Sequence, residues 1–475
     1  MDYLLYCAHV VVCSVGKEAI MPRNRTAEFI VLVFLMGVCS SAFAQGIEIP
    51  EDRRLHPTGY GPTNAGRSVA IEDGEAIVGA DRYGVVGQSL LGAVFVWDAL
   101  EGVQTDFLLA ADGESQDYFG SSVAIGSGVI AVGARSDFFN GASLSGSVRI
   151  FDAQTHELLA IVGPTSTPSG SGFGWSIAIE GDYLVVGAPY DRVTTTTARG
   201  SAYIFRLSEL SKPVKILAED GRGGDRFGYS VAIEDGVIAI GAEGHDLTTE
   251  GNGAAYLFDA ATGLQIRKVV PDDSEARDFG SSVGIHNSLL AVGAPRTTPS
   301  DGNGYNGTAY LFDVSTGEQL HRFVVQDPAD PEVFEQFGVS IAIENDRLLI
   351  GASQDTQMGS NAGAVYLYEL GSYTRLGKLL TRDGDQSDFL GASIAIENGV
   401  AIVGAPGKHS VYVYDINEIG CPADLNHDFE HDVFDVFAYI ELFQSQDPAA
   451  DLTGDGQFDV FDFFTYVDQF LIGCL

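Results

Sequence analysis

The sequence predicts an all-β fold, a propeller of seven four-stranded blades, with a small α-helical domain at its C-terminus. Three observations predict it. One unit recurs seven times in register, each copy holds short β-runs separated by turn residues, and the register ends near residue 418, where an acidic tail with a duplicated loop takes over.

Taken from the N-terminus, residues 1–44 read as an export signal. Arg23 and Arg25 form a basic stretch, Phe29 to Val38 is an apolar run, and Ala42-Phe43-Ala44 is a small-x-small cleavage site that sets the mature start near Gln45. The run is too short for a membrane span. Met21 stands where a start gives a signal of ordinary length, so the true start is expected there. The protein is therefore expected to be secreted, extracellular or at the cell surface. Charge narrows its partners. With 26 Lys and Arg against 65 Asp and Glu the net charge is −39, which repels phosphate backbones and anionic lipid headgroups and argues against nucleic acid as a partner.

Residues 45–418 carry the repeats. A Gly-x-Ser-(Val/Ile)-(Ala/Gly)-Ile segment begins at Gly66, Gly120, Gly174, Gly228, Gly280, Gly338 and Gly391. Each segment leads through a two-residue turn, such as Asp73-Gly74, Asp235-Gly236 or Asn398-Gly399, into a second apolar run that ends in Gly-Ala. A variable loop, a third run such as Ala255 to Asp259, a turn such as Thr262-Gly263 and a fourth run complete the unit. Four runs with hairpin chemistry make one antiparallel sheet, and packing such sheets face to face around an axis buries both faces of each. That explains the nearly continuous apolarity of the first two runs. The small Gly, Ser and Ala of the first run suit the crowded position nearest the axis. The last copy lacks a fourth run, and Gly46-Ile47-Glu48-Ile49-Pro50 is expected to supply it and shut the ring.

Loop lengths single out one face. In an up-and-down blade the one-two and three-four turns share one rim, and the two-three loops share the other with the blade-to-blade links. The first rim is short and uniform and the second long and variable, so the second is the candidate binding surface. Its candidate ligand-binding residues are Tyr83, Phe138, Phe139, Tyr190 and Tyr305, beside Asp81, Asp137, Asp191, Asp246 and Asp355. Aromatics next to carboxylates suit an extracellular protein or a carbohydrate; the plainer reading is that they pack the loops onto the propeller.

Residues 420–475 form the tail. Asp451, Thr453, Asp455, Gln457, Asp459 and Asp462 occupy ligand positions of a twelve-residue calcium loop, with Gly456 at its sharp turn. A first loop repeats the pattern at Asp424, Asn426, Asp428, Glu430, Asp432 and Asp435, but Phe429 stands where glycine is favoured, so weaker binding or a distorted loop is expected. Calcium wants six to eight oxygens, and this spacing folds them around one centre. Each loop leads into an amphipathic helix, Phe434 to Phe443 and Phe461 to Leu471. Cys421 and Cys474 bracket the tail and read as a disulfide staple of an exported domain.

No catalytic constellation emerges. The histidines lack metalloprotease spacing, and no phosphate loop or dinucleotide fingerprint is present. Gly280-Ser281-Ser282-Val283-Gly284 matches a nucleophile elbow, but it lies on the recurring first run and lacks the strand-turn-helix context. The chain reads as a binding protein and not an enzyme.

The seven copies resemble the FG-GAP repeat family, whose members include the propeller of integrin α chains; the resemblance covers about residues 46–418 and implies seven blades. Integrin-type blades often carry an Asp-rich calcium loop between strands one and two. Here that link is a tight turn, as at Glu234-Asp235-Gly236, so no calcium is expected in the blades. The tail resembles a dockerin, which implies a cohesin partner and a place in polysaccharide-degrading assemblies. Loop positions ten and eleven are Val433-Phe434 and Val460-Phe461 where dockerins often carry Ser-Thr, which departs from the usual cohesin contact and leaves docking or surface attachment as the expectation. The alternative function that this resemblance carries is an enzyme or accessory component of extracellular polysaccharide degradation.

Overall fold

Each Gly-x-Ser segment leads into or lies within the innermost strand of an antiparallel sheet in a computed structural model, which describes residues 48–57, 63–84, 89–165, 169–192, 198–245, 251–298, 306–325, 335–417 and 433–445, with Ala450, Asp462, Phe463 and Tyr466. Blade one runs Ser68–Glu72, Glu75–Ala80, Ala93–Asp98 and Val103–Leu108, each strand beside the next. Six further sheets repeat this order, and the first strands of successive blades abut around the axis, the last against the first. The propeller has seven blades. In five of the one-two hairpins both turn residues have positive φ, as in Asp73 (51°) and Gly74 (77°), which suits the right-handed twist of the flanking strands.

The constant residues of the repeat form the seams between blades. Ser68 Oγ, in blade one, donates to the carbonyl of Gly120, the motif glycine of blade two, at 3.0 Å. Ser122, Ser176, Ser230, Ser282 and Ser340 do the same to the following blade. Ser393 closes the circle on Gly66 at 2.9 Å. The glycine of each Gly-Ala step faces the same carbonyl: a Cβ on Gly79 would lie 2.1 Å from Gly120 O, and one on Gly404 2.1 Å from Gly66 O. Small residues are thus required by the backbone of the neighbouring blade, and not by crowding at the axis.

A second seam device lies on the short-turn rim. The Glu that ends a first strand accepts hydrogen bonds from turn amides of the next blade: Glu72 from Ser127, Glu180 from Asp235 and Gly236, Glu234 from Asn287, Glu344 from Asn398 and Gly399. Glu397 accepts from Asp73 at 2.8 Å and Gly74 at 3.1 Å, joining blade seven to blade one. Glu397→Ala removes two charge-assisted bonds at the closure and is expected to lower stability by about 2 kcal/mol, read as a shifted urea midpoint.

The closing strand is not the one expected. Arg53–Leu55 pairs antiparallel with Ser410–Asp415, Arg53 opposite Val413 and Leu55 opposite Val411, and completes blade seven. Glu48–Pro50, inside the segment expected to do this, instead adds a fifth strand to blade six, parallel to Arg375–Leu380. Leu55 decides the matter: it is 1% exposed, in a core shared with Ala76, Val78 and Ile402. Pro50 has no N–H to give a ladder and fits only an edge.

In the tail a helix, α1, spans Val433–Ser445. Tyr439 on it stacks on Tyr466 at 4.2 Å, and its hydroxyl donates to Ala450 O at 3.1 Å. Of the expected calcium ligands only Asp462 has a described side chain, and it is fully buried. The backbone alone of Asp435 is described; Asp424, Asn426, Asp428, Glu430, Asp432, Asp451, Thr453, Asp455, Gln457, Asp459, Cys421 and Cys474 lie outside the described residues. Among the described residues no helix is long and apolar enough to cross a membrane.

Candidate functional site at the channel mouth

The variable loops start with one shared turn. The third residue after each Gly-Ala step donates its amide back to the alanine carbonyl, as Asp137 does to Ala134, Asp191 to Ala188 and Asp355 to Ala352. This turn aims the side chain of that residue into its own blade. Asp137 accepts from Ser147 and, at 3.1 Å, from Arg149. Asp191 accepts from Ser201 at 2.6 Å and Tyr203 at 3.0 Å and pairs with Lys215 at 2.7 Å. Asp355 accepts from Tyr366 at 3.0 Å and pairs with Lys378 at 2.6 Å. Asp81 is held by Asn64 at 2.7 Å and Arg135 at 3.2 Å. These four rim carboxylates are buried and hold the loops down; Asp246 lies outside the described residues.

The candidate aromatics divide in the same way. Tyr83 packs edge-on against Phe107 at 5.4 Å, and the ring of Phe139 lies against Gly163. Phe138 projects into solvent, 57% exposed. Tyr305 lies outside the described residues. Of the four that are described, Tyr190 joins a larger aromatic cluster at the channel mouth.

That cluster is built on the residue between Gly and Ser of the repeat motif. Because it precedes the innermost strand, at the end where the two-three loops leave, it sits at the channel mouth on the long-loop rim. The seven residues are Arg67, Ser121, Trp175, Tyr229, Ser281, Val339 and Ala392. Trp175 meets Tyr190 edge-on at 5.3 Å and Tyr229 at 5.5 Å. The Arg135 guanidinium lies over Tyr118 at 4.6 Å and over Trp175 at 5.2 Å. Arg226 lies 6.0 Å over Tyr190 and pairs with Glu243, which also accepts from Ser281 Oγ at 3.0 Å. The charge of Arg67, in blade one, opposes the pKa rise of Tyr229, in blade four.

Burial sets the electrostatics. It pushes Tyr229 up to about 12, with the Glu243 charge adding to the rise. It raises Glu243, against the pull of Arg226, and lowers Arg135, against the pull of Asp81. The carboxylates lie beneath and the guanidiniums above: the Asp81 and Glu243 side chains are 2% and 6% exposed, those of Arg67 and Arg226 39% and 47%. The mouth thus presents cations and aromatic surface on a strongly acidic chain. Sequence reasoning passed over the motif's middle residue because its neighbours are constant. Its variability inside a constant frame is the signal that finds it.

Five segments of the chain, 103–151, 166–205, 211–258, 264–312 and 328–368, match the model of the FG-GAP repeat. Each spans the Gly-x-Ser motif and ends in the third strand of a blade. No curated protein matches the chain. The chain is thus a seven-bladed β-propeller, and five of its blades, two to six, carry matched FG-GAP repeats.

Proposed function

We propose that this is a secreted interaction protein, adhesive and not catalytic, whose propeller grips an extracellular protein or carbohydrate at the channel mouth of blades one to four. The observation that carries this is the exposed guanidinium of Arg226 and the partly exposed surface of Arg67, Trp175 and Tyr190, held over buried carboxylates. Arg, Trp and Tyr dominate binding hot spots because they combine large area with a polar handle. Paired in this way, the guanidiniums keep their charge near a partner while the carboxylates stay out of reach. Screening the purified protein on a glycan array and against extracellular proteins of its own source identifies the partner. Trp175→Ala and Arg226→Ala are each expected to weaken that binding by about 2 kcal/mol, the scale of a hot spot. Wild-type affinity in both variants would move the site off the mouth.

The tail, residues 420–475, is proposed to fold on calcium and to dock or anchor the propeller. The ligands are Asp451, Thr453, Asp455, Gln457, Asp459 and Asp462 in the second loop and Asp424, Asn426, Asp428, Glu430, Asp432 and Asp435 in the first, the disulfide being Cys421–Cys474. The buried Asp462 carboxyl fits a final ligand turned toward an ion. Calorimetry is expected to show calcium uptake that Asp451→Ala reduces by at least one site. Unchanged uptake in that variant would remove the second loop from the assignment.

A further inference from the structure

The outer edges of five blades follow one rule, and blades one and two depart from it. A residue near the end of the fourth strand lies opposite a third-strand tyrosine in five blades, and there it is cationic: Lys215 opposite Tyr203, Lys268 opposite Tyr256, Arg322 opposite Tyr310, Lys378 opposite Tyr366, Arg54 opposite Tyr412. Charges, prolines and short strands are how sheet edges avoid pairing with other chains. In blade one this position is the half-buried Phe107, with Asp106 beside it. In blade two the cation has moved inward to the third strand. Arg149, 2% exposed, bonds Asp137, Ser147 and Asp112 and does the internal work of the missing lysine. The edge residue opposite it is Ile161.

The whole outer strand of blade two, Leu158–Val162, is Leu-Leu-Ala-Ile-Val, without a charge or a proline. Leu158, Leu159 and Ile161 are 48%, 56% and 37% exposed. Among the described residues its one sheet neighbour is the third strand Ser147–Asp152, which leaves the other side of its backbone without a described strand partner. A bulge lies between Leu158 and Ala160 and leaves the following residues in regular register. Blade six shows the geometry of such an addition, on an edge whose Lys378 is buried and turned inward to Asp355. There Glu48–Pro50 lies parallel along Lys378–Leu380, the stretch that corresponds to Ile161–Gly163.

We infer that the outer edge of blade two is a docking edge for an extended strand of a partner protein, apolar at alternate residues and basic at its ends, added to the sheet as Glu48–Pro50 is added to blade six. Main-chain hydrogen bonds give the affinity and the exposed Leu159 and Ile161 take the apolar side chains. The basic ends follow from a net charge of −39, which draws cations and also sets two copies of this chain against each other. This surface is separate from the channel mouth and its test does not depend on that site.

The probe is a labelled peptide of alternating valine and threonine with lysines at both ends, titrated with the full chain and read by fluorescence anisotropy. Saturable binding is expected, weakened about tenfold by Leu159→Lys and also reduced by Ile161→Thr. Ile266→Lys, which places a charge on the 50% exposed edge of blade four, leaves it unchanged. Methylating alternate backbone amides of the peptide removes the donors and abolishes binding. Equal binding of the methylated peptide, or full affinity in both blade-two variants, overturns the proposal. So does a dimer in sedimentation that Leu159→Lys disperses, since the edge then serves a second copy.

Discussion

Gly404→Ala is expected to destabilise the protein by about 3 kcal/mol, and to do so as much as Gly241→Ala does in the middle of the chain. The added methyl of Gly404→Ala would lie 2.1 Å from Gly66 O and 2.3 Å from Ser393 Oγ; that of Gly241→Ala would lie 1.9 Å from Gly280 O and 2.3 Å from Ser230 Oγ. The two serine hydroxyls belong to the glycine's own blade and can turn aside, whereas the two carbonyls belong to a neighbouring blade's backbone, which moves only if the seam opens. The equality is the informative part. Gly241 faces a blade that follows directly in sequence, whereas Gly404 faces the first blade, and its seam exists only if the ring is shut. An open arc would tolerate Gly404→Ala and reject Gly241→Ala. Ser393→Ala, which deletes one hydrogen bond and leaves space, is expected to cost about 1 kcal/mol. Urea unfolding of the variants ranks them.

The second large effect is expected at the other half of the closure. A chain shortened to begin at His56 loses Arg53–Leu55, and with it the outer strand of blade seven and the buried Leu55. The loss is expected to reach about 4 kcal/mol, the upper range for deleting one well-packed leucine, with aggregation from the uncovered strand Ser410–Asp415. A chain beginning at Asp52 keeps that strand and gives up only the addition to blade six, so its urea midpoint stays close to that of the longer chain. Equal destabilisation by the two truncations would show that Glu48–Pro50 contributes as much as Arg53–Leu55 and would overturn the assignment of Leu55 as the residue that secures the closure.

The seven-fold count, the strand order and the face that carries the loops were legible in the sequence because they depend on local chemistry. Two-residue turns such as Asp73-Gly74 demand positive φ, and apolar runs of strand length must be buried on both sides. The choice of closing strand was not legible. Gly46 to Pro50 was read as the closing stretch, and only the core between blades one and seven, which accepts Leu55, picks out Arg53 to Leu55 instead. That the rim carboxylates hold the loops down was the plainer of the two sequence readings, and only the structure shows how they do it. Asp137, Asp191 and Asp355 occur in loops, where acidic residues usually meet water, but the turn after Gly-Ala aims them at cations and hydroxyls of their own blade.

By itself the sequence determined the repeating unit and its number, since each copy repeats the same local instructions to turn, extend and turn again. Tertiary structure alone decided what the constant residues are for and which variable ones face a partner. The Ser and Gly of each motif meet in different blades, and Arg67, Trp175, Tyr190 and Tyr229 gather from three blades around one axis. Contacts between residues some fifty positions apart leave no mark on local pattern; they exist only once the ring brings the blades together.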